Sequence, residues 1–190
     1  PSEAALTQLL QAAGVDRDTH VVVVHAGSDH TDFGAAARVY WTLKVGGLTR
    51  LSILDGGSKA WQAAGGTLET AAPQVAPSQF SYRYDQEQVV TSEELAATVK
   101  AGNAPLLVDA RPPKFFAGET RTDAAARYGT LPGAKSFDNA QFFPQGGTTL
   151  KPASELKALV AQSGAAAAPA VSFCNTGHWA ATNWFVMSEI

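Results

Sequence analysis

Val171-Ser-Phe-Cys-Asn-Thr-Gly-His-Trp-Ala180 decides how the rest of the chain is read. An apolar, strand-like run ends at Cys174, the only cysteine in 190 residues, and a helical run follows from Ala181 to Ile190. A strand that stops at a nucleophilic side chain and turns through a glycine into a helix aims several backbone N–H groups into one small concavity, which favours an anion. A lone cysteine is more often a small buried hydrophobe than a catalyst. The order strand, Cys174, Gly177, helix reverses that expectation and places the sulfur to act as a thiolate.

Immediately upstream, Pro152 sits near a helix start, Leu156, Leu159 and Val160 share one helical face, and Gly164 ends it. An alanine tract and Pro169 then lead into Val171. Further back, Leu106-Leu-Val-Asp-Ala-Arg111 reads as a buried strand ending on charged residues, and Thr91-Ser-Glu-Glu94 has the form of a capping box before Leu95–Val99. Pro112 and Pro113 open a long loop, rich in charge and glycine, that runs to Leu131-Pro-Gly-Ala134. Residues 67–81, with Pro73 and Pro77 among alanines, have no apolar period and read as a linker.

The N-terminal part repeats the same grammar. Leu6, Leu9, Leu10 and Ala13 mark a helical face capped by Gly14. Val21–Val24 is β-branched throughout and reads as a strand buried on both faces. Residues 26–33 read as a polar loop, Ala35–Val45 as a helix stopped by Gly46-Gly47, Leu51–Leu54 as a strand, and Ser58–Ala64 as a short helix. Leu9-Leu10, Gly14, Val21–His25 and Ala35-Ala36 fall in the same order as Leu159-Val160, Gly164, Ala170–Cys174 and Ala180-Ala181, so an internal repeat is expected. His25 then stands in the place of Cys174, and imidazole there cannot do the sulfur chemistry of a thiolate.

Composition bounds the partners. With 45% hydrophobic residues, a formal net charge of −3 and a mean hydropathy of −0.06, the chain has the make-up of a soluble globular protein. It offers no basic face for nucleic acid, and its longest aliphatic run, Val21–Val24, is far too short to span a bilayer. A single cysteine excludes an intrachain disulfide and any multi-cysteine zinc site. Neither a cofactor nor a metal is expected. Periplasm and cytoplasm both suit this composition, which also leaves oligomeric state open. The chain begins at Pro1 without methionine and stops at Ile190 inside a helical pattern, so both ends are expected to be cut.

Leu54-Asp-Gly-Gly-Ser-Lys-Ala-Trp61 with Gly65-Gly66, Leu107-Val-Asp-Ala-Arg111, Leu131-Pro-Gly-Ala134 and the loop after Cys174 together resemble the tandem-domain rhodaneses, the thiosulfate and 3-mercaptopyruvate sulfurtransferases. The resemblance implies an α/β fold in which a parallel sheet is flanked by helices, built as two tandem repeats, each incomplete in this chain. It divides the chain into an inactive rhodanese-like domain over 1–70, a linker over 71–86 and a catalytic rhodanese-like domain over 87–190. A strand with an aspartate–arginine motif would precede Leu6, and a strand with an Asp-Gly-Gly segment would follow Ile190. A longer parent chain, or a second copy completing each sheet, would supply them.

The resemblance also implies chemistry. Cys174 would attack the outer sulfur of a small anionic donor such as thiosulfate, hold it as a persulfide, and pass it to a thiophilic acceptor, cyanide or a thiol. Asn175, Thr176, Gly177, His178 and Trp179 would form the binding loop. Lys114 and Arg121 would meet the donor's anionic end, Lys114 as a point charge without the fork of an arginine. Asp109 and Arg111 would tie the loop to the sheet. Asn175-Thr176-Gly177 is uncharged, nearer the pattern of mercaptopyruvate-using relatives than of thiosulfate-using ones, which leaves the donor open; thiosulfate is the first choice as the commoner assignment for this architecture. A cysteine phosphatase needs an oxyanion-gripping arginine where this chain has Ala180. A papain-like hydrolase needs a histidine base near the cysteine in space, and His20, His25, His30 and His178 include no clear partner at a strand end other than His178 itself. A non-enzymatic persulfide carrier or protein-binding module is the strongest rival. Trp41, Trp61 and Trp184 are expected in the core.

Overall fold

The computed structural model describes residues 1–190 and holds two parallel sheets. In the first half, α1 (Glu3–Ala12) leads to β1 (Val21–Val23), α2 (His30–Val45), β2 (Leu51–Ile53) and α3 (Gly57–Ala63). β1 pairs with β2 in parallel, Val22 opposite Ser52, with α2 as the crossover that parallel pairing requires. In the second half, α4 (Ser92–Lys100), β3 (Leu106–Asp109), α5 (Pro113–Phe116), β4 (Lys135–Ser136), α6 (Ala153–Ser163), β5 (Ala170–Phe173) and α7 (His178–Glu189) follow in order. Its strands lie side by side as β4-β3-β5, all parallel, so β5 and the cysteine loop sit beside the C-terminal end of β3.

The local signals act through identifiable contacts. Thr91 and Glu94 form the reciprocal capping box that starts α4. Gly164 takes φ +88° behind α6, as Gly14 takes +68° behind α1. Helix–strand–helix order is thus the same in α1–β1–α2 and α6–β5–α7.

Several expectations are corrected. α2 begins at His30 and not at Ala35, because the Asp29 carboxylate accepts from the N–H groups of Thr31 and Asp32 at 2.7 and 3.1 Å. α7 begins at His178, three residues before the apolar run of Ala181. The long loop after Pro112 contains the short helix α5, and β4 and a 3-10 turn over Asn139–Phe142 follow directly after Ala134. β1 is covered on one face only: Val21 and Val23 pack on Leu10, Leu43, Leu48, Phe80 and Tyr82, while Val22 and Val24 are about half exposed at 48% and 52%. On α1, Leu9 is exposed while Leu10 is buried, and Trp61 is 46% exposed, its indole N–H donating to the Thr67 carbonyl at 2.9 Å.

The stretch 71–86 has no helix or strand before the 3-10 turn at Gln86, yet it is fastened to the first half. Phe80 and Tyr82 are buried there, and the Tyr82 hydroxyl donates to the Thr42 carbonyl at 2.8 Å.

The two halves meet through α2 and α7. Phe33 of α2 lies in the second half's core, edge-on to Phe143 and Phe185 at 5.5 and 5.6 Å. At the far end the Glu189 carboxylate accepts from Lys44 Nζ at 2.6 Å and from the Tyr40 hydroxyl at 2.8 Å. Burial alone would raise this carboxyl, but the bonds from Lys44, Tyr40 and Ser188 outweigh it and hold it below its ordinary range. The backbones pass close together at Gly34, where a Cβ would stand 2.8 Å from the His178 carbonyl oxygen. On an isolated helix Gly→Ala stabilises by about 1 kcal/mol. Here the neighbour is backbone, so Gly34→Ala is expected to destabilise by roughly 1–3 kcal/mol, measured by urea unfolding.

Candidate active site

Cys174 follows β5 directly and is half-buried at the wall of a cleft of about 1400 Å³ between the halves. Gly177 caps α7 with φ +96°, a left-handed conformation suited to glycine. That turn brings the Gly177 N–H to within 3.0 Å of the Cys174 sulfur, to which it donates. The next N–H groups, in the first turn of α7, have no intrahelical carbonyl to satisfy and face the same end of the helix. An anion on Cys174 is therefore met by peptide dipoles without a nearby general base.

Asp109 ends β3 and is fully buried. Arg111 holds it in a fork, Nε to one carboxylate oxygen at 2.8 Å and an Nη to the other at 2.6 Å, and also donates to the Gly129 carbonyl at 2.8 Å. Thr130 Oγ1 donates to Asp109 at 2.7 Å. The bonds to Asp109, against the cost of burial, raise the guanidinium above its ordinary value. Arg111 thus spends its fork on Asp109 while lining the cleft near Cys174.

Around the cleft the structure brings together Cys174, Asn175, Thr176, Gly177 and Arg111. Asn175 Oδ1 is buried without a hydrogen-bond partner. Lys114 and Arg121 are exposed and do not line this cleft. Lys114 Nζ lies 5.8 Å from the Phe115 ring centre, and Phe115 is edge-on to Trp179 at 6.1 Å. Arg121 folds back on its own loop, donating to the Ala125 carbonyl at 2.6 Å and lying over Tyr128. His178 is the first residue of α7, its carbonyl pressed against Gly34, and the Trp179 indole N–H donates to Thr31 Oγ1 at 3.3 Å across the two halves. Trp41 and Trp184 line the cleft and are not fully buried.

Two arginines escaped the sequence reading. Arg38, on α2, lines the cleft and donates to the Thr176 carbonyl. Arg127 lines it from the loop before Gly129. Arg38 carries no local signal because its partner lies in the other half of the chain, and Arg127 is one charge among several on a polar loop.

His25, at the matching place after β1, is 8% exposed, and neither ring nitrogen has a hydrogen-bond partner. Its ring is edge-on to Phe33 at 5.8 Å. Burial pushes the imidazole below its ordinary range, against the opposing pull of Asp32 and Asp55.

Known proteins are similar to this chain in sequence and in fold. No family model matches the chain. It is 33% identical over 153 residues to a putative thiosulfate sulfurtransferase, SseB, of Mycobacterium tuberculosis, covering 79% of this chain and 51% of the relative. It is 28% identical to the 3-mercaptopyruvate sulfurtransferase of Escherichia coli, covering 95% of this chain and 63% of that one. The crystal structure of SseA from Escherichia coli, described as a 3-mercaptopyruvate sulfotransferase with the rhodanese fold, superposes with a TM-score of 0.81 at 25% identity, over 99% of this chain and 68% of that one. The frame is thus the rhodanese fold, parallel α/β with a cysteine loop at a strand end. The chain is similar in sequence to the rhodanese sulfurtransferases and has their fold. It spans about half the length of the first curated relatives it matches.

The buried imidazole supplies a prediction. A histidine whose folded pKa is depressed is stabilising above its unfolded pKa of about 6.5, and that contribution is lost as pH falls, because the unfolded chain then binds the extra proton. Stability should therefore fall between about pH 7 and pH 5 in the wild type, ahead of carboxylate titration, and this slope should flatten in His25→Leu, as measured by urea unfolding at each pH.

Proposed function

We propose that the protein is a sulfurtransferase that moves a sulfane sulfur from thiosulfate to a thiophilic acceptor through a persulfide on Cys174. The observation that carries this reading is the Gly177 N–H donating to the Cys174 sulfur at the N-terminus of α7, in a cleft that Arg38, Arg111 and Arg127 also line. The Cys174 thiolate attacks the outer sulfur of thiosulfate. A new S–S bond forms, the donor's S–S bond breaks, and sulfite leaves with the electron pair. Cyanide or a thiolate then attacks the outer persulfide sulfur, and Cys174 departs as thiolate. Asn175, Thr176 and Gly177, with His178 and Trp179 at the start of α7, receive the donor, and backbone N–H groups stabilise both anionic states of the sulfur.

Lys114 and Arg121 act, in this reading, by drawing the anionic donor toward the cleft, with Asp109 and Arg111 holding the loop's base. Residues 87–190 form the catalytic domain, 71–86 the connection, and 1–70 a silent partner domain, because His25 stands in the sulfur's place. The uncharged Asn175-Thr176-Gly177 turn favours 3-mercaptopyruvate as the second donor to test.

Intact mass of the freshly reduced protein, before and after thiosulfate, tests the reading. A gain of roughly 32 Da, removed by cyanide and absent from Cys174→Ala, is the expected result. The same gain with mercaptopyruvate alone would change the donor and keep the mechanism, and no gain with either would leave a carrier or binding module.

A further inference from the structure

The Arg38 contact is made to the peptide unit that serves the sulfur. The Thr176 carbonyl and the Gly177 N–H belong to one planar peptide, and in a trans peptide these two groups point in opposite directions. Arg38 Nη1 donates to that carbonyl on one side, and the N–H of the same plane donates to Cys174 Sγ at 3.0 Å on the other. We propose that Arg38 is a positioning residue for the cysteine loop, locking the 176–177 peptide plane from across the domain boundary so that its N–H stays aimed at the sulfur.

Two further features fit this role. A Cβ at Gly177 would stand 2.3 Å from Arg38 Nη1 and 3.0 Å from Cζ, so the glycine gives the guanidinium room to reach the carbonyl as well as permitting φ +96°. A charge-assisted bond at the carbonyl also polarises the amide and strengthens its N–H as a donor. Arg38 itself rides on α2, which is fixed against α7 by Phe33, Gly34 and Tyr40. The position of a first-half helix thereby sets the anion-stabilising power of a second-half loop. The inference rests on the reading of Cys174 as the sulfur carrier, but its test needs no sulfur donor.

The charged side chains lining the cleft with Cys174 are Arg38, Glu87, Arg111 and Arg127, so the test varies one of them. The rate of Cys174 alkylation by iodoacetamide, followed on its own peptide by mass spectrometry across pH 5–10, reports the thiolate directly. Arg38→Met is expected to slow alkylation about tenfold at pH 7 and to recover at high pH, because the thiolate loses a donor held in register. Arg38→Lys, which returns the charge and one donor, should recover most of the loss. Lys44→Met removes a different contact between α2 and α7 and should leave the profile at wild type. If Arg38→Met folds poorly, Arg38→Leu, which likewise has neither donor nor charge, gives the same comparison. A wild-type profile in the neutral variant, or an equal loss in Lys44→Met, overturns the inference. A shifted profile in a protein that gains no sulfur from either donor would instead overturn the sulfur-transfer reading and leave the positioning role standing.

Discussion

The close passage of α2 over α7 at Gly34 is the constraint on which the site depends. A glycine with the His178 carbonyl against its Cα lets two backbones approach to a distance that any side chain would prevent. That approach seats Phe33 in the second half's core, brings Thr31 to the Trp179 indole, and sets Arg38 against Gly177. Small residues at a helix crossing are usually discussed as packing. Here the crossing lies one residue from the turn that carries the sulfur's hydrogen bond, so packing and chemistry share the same atoms.

Charge at the cleft is less than a count of arginines suggests. Arg111 is neutralised by Asp109 in a buried fork and adds shape more than field. A hydrogen bond to an ionised group contributes about 1.5–3 kcal/mol, against roughly 0.3–1 kcal/mol for a helix-terminus dipole at ordinary exposure. The direct N–H contact of Gly177 and the orientation of its peptide therefore outweigh the helix dipole as such. The same comparison explains why an uncharged turn can sit beside Cys174: the hydrogen bond to its sulfur comes from the main chain.

What was legible in the sequence was what neighbours in sequence decide. Cys174, Gly177 and the helix after them lie within one turn, and Thr91 with Glu94 carry their own reciprocal bonds. The Asp109–Arg111 tie is equally local, two residues apart. The start of α2 is hidden because the polar run Gly27-Ser28-Asp29-His30 reads as loop until Asp29 is recognised as a cap. The valines of β1 gave the strand but not its exposed face, since β-branching reports backbone preference and the covering layer is set by tertiary packing. Arg38 and Phe33 act across more than a hundred residues, and no window of sequence joins them to their partners.

The repeated order of helix, strand and helix ends in two different loops, and the difference is physical. After β1 the chain folds onto its own Asp55-Gly56-Gly57 turn: Ser58 and Lys59 donate to the carbonyls of His25 and Ala26 at 2.8 and 3.2 Å. A Cβ on Gly27 would lie 2.2 Å from the Gly56 carbonyl, and one on Gly57 would lie 2.3 Å from that of His25. Backbone fills the space that a substrate would need, and burial pushes the imidazole below its ordinary range. After β5 the equivalent turn instead faces a cleft, with Cys174 at its wall and one of its carbonyls held by an arginine from the other half. The first loop is closed by its own chain and the second is held open by its neighbour's, so the asymmetry of residue between His25 and Cys174 is matched by an asymmetry of support.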